Sequence, residues 1–516
     1  MSSSAENRDL FNKASRAAER GEAWGQFNLG LMYYYGREVQ EDFATAAQWF
    51  IQAANQGDSE AEFYLGFMYA NGQGVRRNDQ EAVKWFRHAA EQNHPEAQYR
   101  LGWMYLHGLG SAADPIDALK WFRRAAEQGF SEAQYQLALL YQTGSGTARD
   151  RGEALRWLQQ AARRNHPSAA YRLGEMYQEG NGVMKNPGEA LTWFRHGATL
   201  GHAPSQLQVG LMYATGQGVT ADLSEAARWF TQAASQGNSE GQYHLALAYL
   251  NGQGVIEDPA QGLEWLQRAT SQSHALAQYE LGRLYATGRQ VNQDDREALQ
   301  WFGLAAEQGL PLAQYELGQR LLNGQGTTAD LGLAVRWLHQ GAVQGVAEAQ
   351  HQLGELYQRG LGVAADPAEA QDWYLKAAEQ HYPPAQYQLA LLVSGGANPD
   401  LVAAAGWLHK AAAQNHLEAQ YELGMRLIGG QGVSQNDQEG TRYLRLAANN
   451  SHGLAQYRLG LMYLTGRGVT QSNQACCQWI TLSASNGELR AQEFLRLARG
   501  ENWFNPQESS CTPPLS

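Results

Sequence analysis

The sequence is poor in cysteine and has no long apolar run. Its three cysteines are too few for a paired framework, which argues against a disulfide-stapled extracellular scaffold. No stretch approaches the roughly 18 apolar residues of a membrane-spanning helix. The first residues also lack the basic start and apolar stretch of a signal peptide. We therefore expect a cytoplasmic protein of a reducing compartment that does not insert into a membrane.

Basic residues are outnumbered by acidic ones, 39 against 51, and the formal net charge is −12. A surface that binds nucleic acid needs a basic field to face the phosphates. The charge balance therefore argues against nucleic acid as a partner.

Motifs for catalysis and for metal binding are missing as well. The sequence contains no Gly-x-Ser-x-Gly elbow, and its cysteines and histidines lack the spacings of a metal site. Histidines recur at one turn, but a repeat or more apart, at roughly 10 Å per helix layer, which is too far for shared ligation. We expect turn residues there, no cofactor, no metal and no enzymatic activity, although a hydrolase site built across repeats stays an open alternative.

The chain does contain one sequence motif that is repeated thirteen times. A leucine or valine marks the same place in each copy, at 36-residue steps except for one step of 34 between Leu389 and Leu423. A period of this length is typical of a solenoid or a propeller. The marker positions are Leu29, Leu65, Leu101, Leu137, Leu173, Val209, Leu245, Leu281, Leu317, Leu353, Leu389, Leu423 and Leu459.

Each copy has two runs with helical spacing. In the third copy, Ala97, Leu101 and Tyr105 fall at i, i+4 and i+8, one stripe of a helix. A Gly-x-Gly segment follows, which suits a helix stop, and then Asp114-Pro115, an N-cap oxygen before a proline. The repeat is therefore a helical hairpin and the fold all-α. The predicted parts are a capping helix at 1–21, thirteen hairpins at 22–487, a capping helix at 488–500 and a disordered tail at 501–516.

The full motif resembles the Sel-one-like repeat, a relative of the tetratricopeptide repeat. The second copy carries it most clearly, at Ala61, Leu65-Gly66, Tyr69, Gly72, Gly74-Val75, Ala82, Trp85-Phe86 and Ala89-Ala90. Single repeats depart from it at Ala138, Ala246 and Ala390, where the family has glycine, and at Leu321, Val393 and Leu427, where it has tyrosine. The resemblance implies a right-handed α-solenoid superhelix that serves as a protein-interaction scaffold. It also implies that bacterial members are adaptors, or immunity partners of secreted toxins.

A binding groove is expected on the side of each first helix that faces away from the core. Counted from the marker leucine, positions −2, −1, +2, +5 and +6 lie there and should line the concave surface. An aromatic residue recurs at −2. These rings either pack between adjacent first helices and stiffen the stack, or offer a ladder of flat contacts to a bound polypeptide.

The groove positions of the first repeats are apolar and aromatic, which makes them the predicted partner-binding site. The candidate residues are Phe27, Leu31, Phe63, Tyr64, Phe67, Tyr99, Trp103 and Tyr135. Repeats eight to ten instead carry mixed charges, expected to form a solvated face: Glu280, Arg283, Glu316, Arg320, Glu355 and Arg359.

The predicted function is that of a monomeric, non-enzymatic scaffold or adaptor that binds one or more proteins or peptides in its groove. The alternative is an immunity or inhibitor protein that neutralises a secreted toxin by direct binding. The short repeat near Leu389 is either a tolerated loop deletion or a hinge.

Overall fold

A computed structural model describes residues 2–395, 399–500, 504–505 and 510–511. The chain divides into two compact units, residues 1–269 and 270–516. Within each unit, consecutive helical hairpins pack side by side, which is the arrangement of an α-solenoid. The all-α prediction is confirmed, with two strands of two residues each as the exception.

The helices of the first unit, most of them 13 residues long, are α1 (Ser2–Glu19), α2 (Ala23–Tyr35), α3 (Phe43–Ala54), α4 (Ser59–Asn71), α5 (Asp79–Glu91), α6 (Pro95–His107), α7 (Pro115–Glu127), α8 (Ser131–Thr143), α9 (Arg151–Arg163), α10 (Pro167–Glu179), α11 (Pro187–Thr199), α12 (Ala203–Thr215), α13 (Leu223–Ser235), α14 (Ser239–Asn251) and α15 (Pro259–Ser271), whose last two residues fall in the second unit.

The second unit continues with α16 (Ala275–Thr287), α17 (Asp295–Glu307), α18 (Pro311–Asn323), α19 (Leu331–Val343), α20 (Ala347–Arg359), α21 (Pro367–Glu379), α22 (Pro383–Gly395), α23 (Leu401–Ala413), α24 (Leu417–Gly429), α25 (Asp437–Asn449), α26 (Gly453–Thr465), α27 (Asn473–Ser485) and α28 (Leu489–Gly500). The strands β1 (Phe504–Asn505) and β2 (Ser510–Cys511) pair antiparallel. Even-numbered helices from α2 on are the first helices of repeats, and odd-numbered ones are the second helices.

The helix boundaries follow from the caps that the sequence predicts. The carboxylate of Asp114 accepts from the backbone N–H groups of Ile116 and Asp117, both at 3.0 Å, and so starts α7. Gly108 ends α6 in the left-handed region, with φ of 66°. A Cβ on Gly110 would lie 2.2 Å from the carbonyl oxygen of Asp79, so the second glycine of the loop lets it pack on the preceding repeat.

The core of each hairpin contains a contact between the residue after the marker leucine and one side chain of the second helix, which is an aromatic ring in many repeats and an aliphatic residue in the others. Phe194 is fully buried, and a Cβ on Gly174 would come within 2.5 Å of its ring carbons. Gly66 faces Phe86 in the same way, with a separation of 2.6 Å. The glycine is therefore required by the close approach of a ring. The neighbouring tryptophan of the second helix is only half-buried in most repeats, as Trp121 is.

The departures from glycine at this position are matched across the hairpin. Where the first helix has alanine, the partner position of the second helix has leucine, which is smaller than phenylalanine. The pairs are Ala138 with Leu158, Ala246 with Leu266, and Ala390 with Leu408, and all six residues are buried. In these three repeats a larger residue on one side is thus opposed by a smaller one on the other. Three further repeats combine glycine with an aliphatic residue, at Gly318 with Leu338, Gly424 with Leu444 and Gly460 with Ile480.

Within each unit, a recurring buried amide links a hairpin to its neighbour in many of the repeats. Gln98 is fully buried, donates to the carbonyl of Ala90 at 3.0 Å, and accepts from Gln128 at 2.8 Å. One amide thus joins three successive helices. Glu62 takes this place in the second repeat, and burial raises the pKa of its carboxyl. Pairs 30 residues apart recur at Gln56–Gln26, Gln92–Glu62, Gln128–Gln98, Gln236–Gln206, Gln308–Gln278, Gln344–Gln314 and Gln380–Gln350.

The remaining predictions concern the short repeat, the C-terminal tail and the cysteines. Gln414 still donates to Gln386 at 3.0 Å, so the shortened repeat keeps the amide pair. Its loop residues 396–398, and most of the tail predicted to be disordered, lie outside the described residues. Cys476 is free and buried, as expected of a core residue, whereas Cys477 is disulfide-bonded.

We predict that Gly174→Ala lowers the free energy of unfolding by about 1–3 kcal/mol, because its Cβ would clash with Phe194. Adding Phe194→Leu should restore much of the loss, since Ala138 and Leu158 show that this pair fits. Urea denaturation followed by circular dichroism measures both.

Gly303→Ala is the control, because nothing lies within 4 Å of a Cβ at that helical position. It should be neutral or stabilising by up to about 1 kcal/mol. A double variant no more stable than Gly174→Ala alone would contradict the size-matching account.

Candidate functional site

Exposed aromatic side chains of the first unit lie together on α2, α4 and α6. Tyr35 is 49% exposed and Trp103 38% exposed. The hydroxyls of Tyr35 and Tyr64 are 3.1 Å apart and so link α2 to α4. Trp103 stacks on His107, with ring centroids 4.0 Å apart. We call this surface the aromatic wall; its residues are Leu31, Tyr35, Tyr64, Phe67 and Trp103.

Tyr64 anchors the aromatic wall to the core. Its ring stacks on Phe50, which is fully buried, with centroids 5.2 Å apart and planes 23° apart. Burial, followed by the hydroxyl of Tyr35, raises the pKa of Tyr64 above its usual range. Tyr64 therefore stays protonated and neutral at physiological pH, so the wall gains no negative charge from it.

A cavity of about 340 Å³ lies beside Phe67 and Trp103. Arg77 and Asp79 form an ion pair of 3.1 Å at its edge. The guanidinium of Arg100 lies over the ring of Phe67 at 5.6 Å, and its buried Nε has no hydrogen-bond partner among the described residues. The cavity thus offers apolar ring faces next to an N–H donor. Sequence reasoning named the two rings but not the charged residues.

The predicted residues at position −2 pack mainly against neighbouring helices, and Phe27 and Phe63 also contact Tyr64 of the aromatic wall, with ring centroids 5.9 and 5.7 Å apart. Phe63 is only 8% exposed and stacks on His94 of the next repeat, with centroids 4.7 Å apart. Tyr99 packs on Phe122 and Phe130 in a similar way. Phe27 and Tyr135 are likewise half-buried against neighbouring rings. These contacts are those of the first interpretation, in which the rings stiffen the stack.

The cavity beside Trp103 occupies a place that recurs along the chain. We call this place the interrepeat notch: it lies between the first helices of two consecutive repeats, at the first turn of the second helix between them. A notch of about 370 Å³ between α8 and α10 is lined by Arg149, Arg151, Arg172 and Glu175. A notch of about 330 Å³ between α18 and α20 is lined by Leu331, Gln352, Leu356 and Arg359. The lining differs at each interface, so the notches differ in the chemistry they present.

The charged residues of repeats eight to ten are less solvated than expected. Glu280 and Arg283 pair at 2.9 Å near the surface. Arg320, however, is only 8% exposed, and burial raises the pKa of Glu316 and of Glu355. The prediction of a solvated face is therefore wrong for Arg320, because its repeat position points between helices.

The recurring histidines cap helices. Nδ1 of His166 accepts from the N–H of Ala169 at 3.2 Å, and its ring stacks on Tyr135 with centroids 4.6 Å apart. His416 and His452 make the equivalent bonds. Burial lowers the pKa of all three imidazoles. The prediction of turn residues is confirmed. The N-cap bond explains why the residue before these helices has a side chain that can accept a hydrogen bond.

Neither a metal site nor a membrane span is found in the part of the chain that the structure describes. No group of three or more His, Cys, Asp or Glu side chains there could hold a metal ion. No helix among those residues is both long and apolar enough to cross a bilayer.

Comparison with known proteins gives a family and several structural relatives. A family model described as Sel1 repeat matches residues 25–58, 59–94, 95–130, 131–166, 167–202, 203–238, 239–274, 275–310, 311–346, 347–382, 383–416, 417–452 and 453–488. No curated protein sequence matches the chain.

Two solved structures are similar over long stretches. A protective antigen present in uropathogenic Escherichia coli strains, which displays an SLR fold, is 29% identical with a TM-score of 0.69, and 98% of each chain is covered. A Sel1 repeat protein from Oxalobacter formigenes is 33% identical with a TM-score of 0.50, over 63% of this chain and 93% of that one. An immunity protein from Pseudomonas aeruginosa is 22% identical over 42% of this chain and 85% of that one, and its TM-score of 0.26 is too low to carry an argument.

We predict that stability falls as the pH drops from 7.5 to 5. The folded-state pKa of His166, His416 and His452 lies below its usual value, so the unfolded chain binds more protons in this range. Protonation of Nδ1 also removes a cap worth about 1 kcal/mol. Thermal unfolding midpoints measured across this range test the expectation.

The matched variant replaces these three histidines with asparagine, which caps the equivalent helix at Asn238. It should show a flatter pH dependence than the wild type, whatever its stability at pH 7.5. Equal slopes for the two proteins would contradict the assignment, because all carboxylates are common to both.

Proposed function

The chain belongs to the Sel1 repeat family, and on that premise we propose that it is a scaffold that holds a partner polypeptide against the aromatic wall of its first unit. Sel1 repeats generally form a non-enzymatic scaffold. The proposal rests on one observation: the aromatic wall and the adjoining notch leave ring faces and part of the Arg100 guanidinium exposed to solvent.

The composition of the wall favours protein as the ligand. Tyrosine, tryptophan and arginine supply most of the binding energy at protein interfaces, because they combine a large apolar area with a polar group. Trp103, Tyr35 and Arg100 bring all three types to one surface. The net charge of −12 argues against nucleic acid in the same place.

The notch beside Trp103 suggests what the partner presents. An apolar side chain fits between Phe67 and Trp103, and an oxygen acceptor next to it could accept from the exposed part of the Arg100 guanidinium. Asp79 is already paired with Arg77, so it leaves the donor of Arg100 available. The expected partner segment therefore carries an aliphatic or aromatic residue next to an acceptor.

The two alternatives from the sequence, toxin neutralisation and hydrolysis, have no specific observation in their favour. Toxin neutralisation would use the same wall and would differ only in the identity of the partner. Hydrolysis would need a nucleophile placed beside a base; the three notches are lined by arginine, carboxylate, amide and apolar groups and by one hydroxyl, that of Thr143, for which no base contact is seen among the described residues.

We predict that replacing Tyr64, Phe67 and Trp103 by alanine abolishes capture of the native partner. The variant removes the ring faces but leaves the core rings, such as Phe50 and Phe86, in place. Affinity purification from the native host with quantitative mass spectrometry should show at least a tenfold loss of the partner, about 1.4 kcal/mol. Circular dichroism should show unchanged helical content.

The matched control replaces Gln208, Leu211 and Leu247, which occupy the same three repeat positions in repeats six and seven. It should retain the partner. Retention by the wall variant, or equal loss in both variants, would refute the assignment of the wall as the binding surface.

A further inference from the structure

Two repeats place a buried arginine where the other repeats have a small or apolar residue. Three residues after the marker leucine, most first helices have methionine or leucine, such as Met104, Met176 and Leu356, which line the interrepeat notch. Arg320 and Arg426 take that position in α18 and α24, and each is only 8% exposed. A guanidinium stays protonated in a protein, so each is a buried positive charge that requires a counterion.

Arg320 has its counterion within the chain. One Nη lies 3.6 Å from Asp295, the first residue of α17, and the other lies 3.8 Å from Glu316. The guanidinium also lies over the ring of Phe302 at 4.9 Å. The notch at this interface is therefore filled and neutralised, although the Nε of Arg320 has no partner.

Arg426 is built into the same surroundings without the acid. The first residue of α23 is Leu401, where α17 has Asp295, and the position of Phe302 is taken by Leu408. One backbone contact is the same at both places: a Cβ on the loop glycine after α24, Gly432, would lie 2.0 Å from the Leu401 carbonyl oxygen. The corresponding distance from Gly326 to the Asp295 carbonyl oxygen is 2.2 Å.

The guanidinium of Arg426 is therefore left unpaired. Its Nε and Nη1 are buried and have no hydrogen-bond partner, and no ion pair involves it among the described residues. The nearby acids do not fill the gap. The carboxylate of Asp400 is engaged as the N-cap of α23, accepting from the N–H of Ala403 at 2.8 Å. Glu422, the counterpart of Glu316, lies one turn before Arg426 on α24 but is not within ion-pair distance of it.

We propose that Arg426 lies at the bottom of a binding site for a carboxylate group. A ligand supplies this carboxylate in place of the missing aspartate. A carboxylate matches the planar fork of a guanidinium and can accept from two of its nitrogens at once. The group belongs either to a small organic acid or to a Glu or Asp side chain of a partner polypeptide. The site lies in the second unit and is independent of the aromatic wall.

Thermal unfolding of the full chain in the presence of defined probes tests the site. The probes are sodium acetate, N-acetylglutamate amide and a glutamate-containing pentapeptide with blocked ends, each compared with sodium chloride at equal ionic strength. Binding to the folded state should raise the midpoint in a saturable way, by about 1–2 °C. A rise with the small acids identifies a free carboxylate as sufficient, and a rise with the peptide alone identifies a polypeptide ligand.

Two variants make the test specific. Arg426→Met, which introduces the residue found in other repeats, should remove the response to every probe and raise the midpoint in plain buffer. Leu401→Asp should also remove the response, because it supplies the internal counterion. The rise in midpoint that Leu401→Asp causes should be smaller when Arg426→Met is also present. Arg320→Met is the matched control and should lower the midpoint, since it strips Asp295 of its partner.

Two results would overturn the proposal. One is a wild-type midpoint that responds to the carboxylates no more than to chloride. The other is a response that persists in Arg426→Met, which would place any carboxylate binding elsewhere on the molecule.

Discussion

The spacing between the two helices of every hairpin is set by one contact, in which a side chain of the second helix lies against the residue after the marker leucine. A phenylalanine ring there leaves no room for a Cβ opposite, as Gly174 and Phe194 show. Because the helices meet this closely, the amide of Gln98 can reach the second helix of the preceding repeat and accept from the residue that closes its own hairpin. The notches also depend on it, since they form where consecutive first helices are held apart by the second helix between them.

The architecture could be predicted almost completely from the sequence, because its signals are local and repeated. Asp114 and Gly108 act within a few residues of their own position, so the pattern of capping oxygens and glycines fixes where helices start and end. The size matching of Ala138 with Leu158 was also visible in the sequence, but only once the two positions were known to touch. The buried glutamines were missed, since a polar residue at one repeat position is typical of a surface as much as of a buried amide.

The candidate site was predictable in part. Trp103 is exposed, as the helical period predicts for a position that faces away from the core, whereas Tyr64 stacks on the buried ring of Phe50. The neighbouring rings at Phe63 and Tyr99 are turned toward the next repeat, and their partners come from the following turn, which helical spacing does not describe. The same limit applies to Arg100 and Arg426. Their environment is built by three helices at once, so the charge pattern of a single helix could not indicate which arginine has a counterion.

The contact between the residue after the marker leucine and its partner on the second helix has an evolutionary consequence. Each pair is completed inside one hairpin, so a substitution on one side can be compensated without any change in the adjacent copies. A gene encoding such a chain can lengthen by duplicating a whole 36-residue segment, and the new copy already contains both residues of the contact. Groove-facing positions are then free to diverge from copy to copy. A long array of this kind can therefore acquire new surface residues without any change in its core.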